Sequence, residues 1–398
     1  MPRISITSAR HVPDAERRAR LGVRHRLAPG TAASTVTEAA AALVGLHATE
    51  PASVALAAWA RTADLIPADV ERALWADRTL AVQLSLRQTL FAYPSASLPA
   101  VLASSGRRGS DSLRGTLARL VEKHGIAADG AAWVDRAGDA VLATLNDATS
   151  PLSTRQVRER TPAADATFDQ GHGTAWAGTT QLAPRVIWLQ HLAGRVARAG
   201  NDGPWWTSRP VWAPTERFHG PLEEPRARDG WRDLVAGYLR GYGPATIADL
   251  TWWLGATQAI TRTALADLGA VPVSLDGIDA PGWLLPDDLA PVEAPGPWVA
   301  LLPILDQAVM GWKERSFVLG PHADALFDSV GNAGTTIWVD GRIVGAWAQD
   351  DAHRVRVNVL EPVPAAASRA IDEQAERLTA WVGDHKVFPV APSAAMRR

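Results

Sequence analysis

Apolar positions recur at helical spacing over most of the chain and give way to two-residue alternation in short stretches, and the order of these patterns repeats. Residues 232–254, "RDLVAGYLRGYGPATIADLTWWL", predict an apolar-faced helix, a Gly-Pro turn, and a second helix capped at Thr246. Residues 139–161, "DAVLATLNDATSPLSTRQVRERT", carry the same design, with Pro151 in the turn and Ser153 or Thr154 as cap. Each copy runs on into a further helix, "APRVIWLQHLAGR" or "TRTALADLGA". Each then turns strand-like around glycines, "VARAGNDGPWWTSRPVWAP" or "VPVSLDGIDAPGWLLP". Three helices followed by a hairpin is the order of a winged helix.

The first hundred residues follow that order more loosely. "TVTEAAAALVGLHA", "ASVALAAWARTADL" and "PADVERALWADRT" predict helices, and "LAVQLSLRQTLFAYP" has strand character. Toward the C-terminus, "TTIWVDGRIVGAWAQ" and "HRVRVNVLEPV" alternate around an Asp-Gly hairpin turn. "SRAIDEQAERLTAWVG" closes the chain as an amphipathic helix. The expected fold is α+β, with winged-helix units over 1–100, 135–220 and 230–290. A helical connector over 101–134 and a C-terminal α+β segment over 297–398 complete it.

Composition narrows the class. Of 398 residues 47% are hydrophobic and 21% charged, enough for a substantial core. No apolar run is long enough to span a membrane, and the charged N-terminus lacks a signal-peptide core. The chain has no cysteine, which excludes thiolate chemistry and fits the cytoplasm. The net charge is only −2, yet residues 1–30 hold seven arginines against Asp14 and Glu16, a segment expected to meet phosphate. Lysine occurs only at 123, 313 and 386, each preceded by a residue that rules out a P-loop. Neither G-x-S-x-G nor H-E-x-x-H occurs, and the ten histidines show no metal-ligand spacing, so no metal or cofactor is expected.

Several blocks carry a family likeness: "LVGLHATEP" with "ALAAWAR", "LRQTLFAYP", "YLRGYGPATIADLTWWLG", and "LLPILDQAVMGWKERS" with "VDGRIVGAW". In this order, over most of the chain, they resemble the AlkZ-like DNA glycosylase family. That resemblance implies three tandem winged helices forming a DNA-binding channel, and a monomer acting on duplex DNA. The implied reaction is monofunctional hydrolysis of the N-glycosidic bond of alkylated purines. N7 adducts, bulky genotoxin adducts and interstrand crosslinks are the implied substrates, in repair or in self-resistance.

In that family the loop after the Gly-Leu pair carries a short catalytic motif, and here the corresponding residues are His47, Ala48 and Thr49. His47 matches a His-first subgroup. Thr49 stands where the family has Gln or Asp, and the neighbouring Glu50 offers a carboxylate. By the same likeness Arg87 stands in an Arg-Gly-Thr-Leu block, with Gln88 in place of the glycine. Arg87, Lys313 and Arg315 are the candidate DNA contacts, and Asp306 is expected to be a structural acceptor. A neutral His47 suits base or water-positioning duty. The competing reading is an ordinary loop histidine bonded to backbone. Two further function classes stand beside the enzyme. One is a non-catalytic tandem winged-helix DNA-binding protein, a regulator or a sequestering protein for a lesion or drug. The other is a protein-interaction scaffold. The Trp205–Trp206 and Trp252–Trp253 doublets are expected to pack.

Overall fold

The computed structural model describes residues 8–170, 178–387 and 393–397. A short strand, β1 (His11–Val12), and the Asp14–Arg24 helix precede the first winged-helix unit. That unit runs through the Val36–Ala42 helix, β2 (Leu46–His47), the Pro51–Trp59 helix and the Pro67–Glu71 helix, which continues as a π turn over Arg72–Ala76. It ends in the hairpin β3 (Leu80–Leu84) and β4 (Leu90–Pro94). The strand order is β2-β4-β3, with the wing's second strand in the middle.

The same plan recurs twice. In the second unit the Gly130–Asp147 helix leads to β5 (Leu152–Ser153) and the Thr154–Arg160 helix. An extra hairpin follows, β6 (Thr167–Gln170) and β7 (Gly178–Gln181), which the periodicity did not suggest. Its strands are four residues each, too short for alternation to declare itself. The Ala183–Leu192 helix then delivers β8 (Val196–Asn201) and β9 (Pro210–Pro214), in the order β5-β9-β8. The third unit comprises the Ala227–Tyr242 helix, β10 (Ala245–Thr246), the Ile247–Leu254 and Gln258–Asp267 helices, and the wing β11 (Val271–Leu275) and β12 (Ile278–Leu284). Its order is β10-β12-β11, and β1 adds in parallel on the free edge of β11.

Local chemistry explains the shared geometry. Ser153 and Thr246 each end a strand and cap the next helix. The Gln156 N–H donates to Ser153 Oγ (3.2 Å) while Gln156 Oε1 accepts from the Ser153 N–H (2.9 Å). Asp249 and Thr246 form the equivalent box at 3.1 and 2.9 Å. In both units the helix therefore starts at the residue after the strand. The first unit differs, because Ala48, Thr49 and Glu50 intervene between His47 and Pro51.

The C-terminal segment is an antiparallel sheet of β13 (Val299–Leu302), β14 (Thr336–Val339), β15 (Arg342–Gln349) and β16 (Val355–Val359), in that order. Asp340 and Gly341 join β14 to β15 with φ of 48° and 83°, the paired left-handed geometry that an Asp-Gly turn supplies. The Ala365–Val382 helix packs on this sheet. One continuous core joins the first unit, the third unit and the C-terminal segment, whereas the second unit has its own core around Val141, Leu145, Ile187 and Trp212. Tyr238 and Tyr242 bind the large core together, their hydroxyls donating to Gly311 O (2.6 Å) and Leu43 O (3.0 Å).

Candidate active site

The three-residue insertion of the first unit is where the candidate residues gather. His47 lies on β2 opposite Phe91 of β4, its ring edge-on to Phe91 at 5.2 Å, and it is only 6% exposed. Past the strand, the Ala48 N–H still donates to Leu90 O (2.8 Å) and the Leu90 N–H donates to Thr49 Oγ1 (3.3 Å). The loop is thus zipped to β4 for two residues beyond His47. Thr49 is exposed, and its hydroxyl oxygen is engaged in holding the loop.

Burial, and then the nearby Arg87 guanidinium, push the His47 pKa down to about 4. The ring is neutral at physiological pH. The Thr49 N–H points at Nδ1 (3.4 Å), an arrangement in which Nδ1 accepts and Nε2 carries the proton. His47 then offers a donor to a water or sugar oxygen, not a vacant basic nitrogen. Glu50 is the complementary group. Half-buried and without a hydrogen-bond or ion-pair partner among the described residues, its carboxyl is raised above the usual carboxylate range by burial.

Two unpaired arginines stand beside this loop. Arg87 and Gln88 form the β3–β4 turn with φ of 51° and 58°, both left-handed. The Arg87 guanidinium lies 4.2 Å over the Trp252 ring, while that of Arg315 lies 5.4 Å from the same ring and 4.5 Å over Phe327. Neither arginine has a carboxylate within ion-pair distance among the described residues, and desolvation lowers both pKa values. Trp253 is buried as expected of a packing residue, whereas the half-exposed Trp252 is the platform for both cations. Lys313 is exposed. Its backbone N–H and that of Glu314 donate to Asp249 Oδ1 (2.9 and 2.8 Å), so the capping carboxylate of the third unit also pins the segment bearing Lys313 and Arg315.

Asp306 adjoins His47 across a small cavity but is spent structurally. Both its oxygens accept from Arg61 (2.7 and 2.9 Å), and Oδ1 also caps the following helix through the Ala308 N–H (2.8 Å). Trp205 packs against Trp206 and Trp381.

The arginine-rich N-terminus is not the cationic surface its composition suggests. Arg10 and Arg20 both pair with Glu16, Arg20 and Arg24 with Asp288, and Arg17 with Asp14; Arg17 and Arg20 are buried. These charges fasten the Asp14–Arg24 helix to the third unit, while Arg3 lies outside the described residues. Sequence reasoning missed this because the key acceptor, Asp288, sits more than 260 residues away. It missed the platform role of Trp252 for the same reason.

Among the described residues no group of three or more His, Asp or Glu side chains could hold a metal ion, and no helix is long and apolar enough to cross a membrane. A family model described as "DNA glycosylase AlkZ-like" matches residues 40–381. No match was found among curated proteins. The fold is similar to that of the Streptomyces sahachiroi DNA glycosylase AlkZ, with a TM-score of 0.72 at 19% identity over 94% of this chain and 97% of that one.

Proposed function

The chain belongs to the AlkZ-like DNA glycosylase family, and from that premise we propose that it hydrolyses the N-glycosidic bond of N7-alkylated purines in duplex DNA. Bulky genotoxin adducts and crosslinked purines are included among its substrates. The observation that carries this reading is the loop inserted only in the first unit, which sets a neutral, buried His47 and an unpartnered Glu50 beside two unpaired arginines.

The chemistry asks little more than this loop contains. A purine alkylated at N7 is already cationic and leaves with the bonding electrons as a neutral base, so no acid is needed at the leaving group. Developing positive charge on the sugar is stabilised by the Glu50 carboxylate. Glu50 takes a proton from the attacking water as its oxygen bonds to C1′, and the Nε2–H of His47 positions that water. Thr49 holds the loop against β4, and Arg87, Arg315 and Lys313 bind flanking phosphates. The products are the free alkylated base and an abasic site. With Lys313 on a phosphate, no amine attacks C1′ and the course is hydrolytic.

A duplex containing N7-methylguanine, scored as strand breaks after mild alkali, tests this. His47→Ala and Glu50→Gln should each cut the single-turnover rate by about 10²-fold or more, the scale of a lost acid–base group. One observation favours the non-catalytic DNA-binding alternative: the Thr49 hydroxyl is occupied by the Leu90 N–H. Wild-type protein that binds simple and bulky N7 adducts yet excises neither establishes that alternative.

A further inference from the structure

Beside the loop lies a cleft of about 690 Å³ of which the proposed reaction uses only Arg87. It is built by the strained Arg87–Gln88 turn, the start of the Arg107–Lys123 helix, Ala227 and Trp231 of the Ala227–Tyr242 helix, and the turn after Leu254 with Ile260 in the third unit. Arg87, Arg107 and Arg108 line it, with Asp111 as the one lining carboxylate. Among the described residues no ion pair is formed by Arg107, Arg108 or Asp111. Arg108 is oriented by its Nε–H, which donates to Gly255 O (3.2 Å), and its two terminal nitrogens have no partner among the described residues. A π turn over Leu102–Gly106 precedes the two arginines, a local widening of the helix often found at functional positions.

Single arginines elsewhere, such as Arg119 and Arg136, also lack an ion-pair partner among the described residues, but this cleft gathers three. On the same helix Arg114 pairs with Asp135, its Nε–H donating at 2.7 Å. Three guanidiniums against one carboxylate in a single cleft mark a place where an external anion completes the charge balance. Guanidinium forks suit phosphate oxygens. The cleft is open and shares Arg87 with the lesion site, so the anion it fits is an extended polyanion passing that site.

We propose that this cleft seats the phosphodiester backbone of one DNA strand next to the lesion, with Arg107 and Arg108 each neutralising a phosphate and Arg87 joining the cleft to the active site. The inference rests on the duplex-DNA reading above, and its test is kept independent of excision. Binding of an undamaged duplex is measured as a function of salt for wild type, Arg107→Ala/Arg108→Ala, and Arg114→Ala as a control from the same helix. The double variant should bind more weakly, with a log–log salt slope shallower by about 0.9 for each lost phosphate contact. The wild-type advantage over it should consequently shrink roughly tenfold between 50 and 200 mM salt. Arg114→Ala should keep the wild-type slope. A double variant with unchanged slope and affinity overturns the cleft assignment while leaving the glycosylase reading intact. A wild-type protein that binds no duplex overturns both. An equal change in Arg114→Ala reduces the effect to net charge and likewise overturns the assignment.

Discussion

Asp306 offers the sharpest test of whether a carboxylate near His47 is a strut or a reagent. The Arg61 and Asp306 side chains are both 0% exposed, and their two hydrogen bonds join residues 245 apart in sequence. In Asp306→Ala the Arg61 guanidinium stays in the core with only the Ala57 carbonyl as partner (2.9 Å). Stranding one member of a buried pair costs about 3–5 kcal/mol, and losing the cap on Ala308 costs about 1 kcal/mol more. Against a typical total of about 5–15 kcal/mol, the loss of some 4–6 kcal/mol should move the denaturant midpoint far below that of wild type. The transition to follow is that of the core joining the first unit, third unit and C-terminal segment, since the second unit has a core of its own. Removing both charges, as in Arg61→Met/Asp306→Leu, should recover most of the loss because no unpaired charge remains. Asp306→Ala with a wild-type midpoint but abolished excision would refute the strut and make Asp306 chemical. A double variant no more stable than the single one would refute the charge argument.

Three further outcomes follow from the same geometry. Because His47 titrates near 4, it imposes no change on the excision rate between pH 5 and 8. The acid limb belongs instead to Glu50, the rate falling as pH drops through its raised pKa, and Glu50→Gln should erase that limb; a limb that survives in the variant refutes the assignment. Removing the second cause of the His47 shift, in Arg87→Ala, should raise its pKa in an NMR titration of the ring, and an unmoved value would separate the two residues. His47 and His191 are both held to about 4 by burial, against about 6.5 unfolded, so the unfolded state binds more protons between those values. Stability is then fully present above pH 6.5 and declines toward pH 4, by up to about 3 kcal/mol for each histidine. A thermal midpoint constant from pH 7 to 4.5 would contradict this.

Much of the architecture could be read from the chain because it is set by groups a few residues apart. Ser153 and Thr246 announce helix starts, since a capping box closes within three residues. Asp340–Gly341 announces a hairpin, since its left-handed pair is a local cost that these residues bear cheaply. The same locality singled out residues 45–51, where a polar triplet interrupts two apolar runs. It could not show that the loop is an insertion relative to the other two units, because that emerges only when the three sheets are compared. Nor could composition tell one arginine from another. Those at 10, 17, 20 and 24 are consumed by Asp14, Glu16 and Asp288, while those at 87 and 315 meet only aromatic faces or neutral acceptors. The depressed pKa of His47 and the Arg61 clamp on Asp306 belong to the same class. Desolvation and ion pairing depend on which distant surfaces are pressed together, and that is decided by the packing of the units, not by neighbours along the chain.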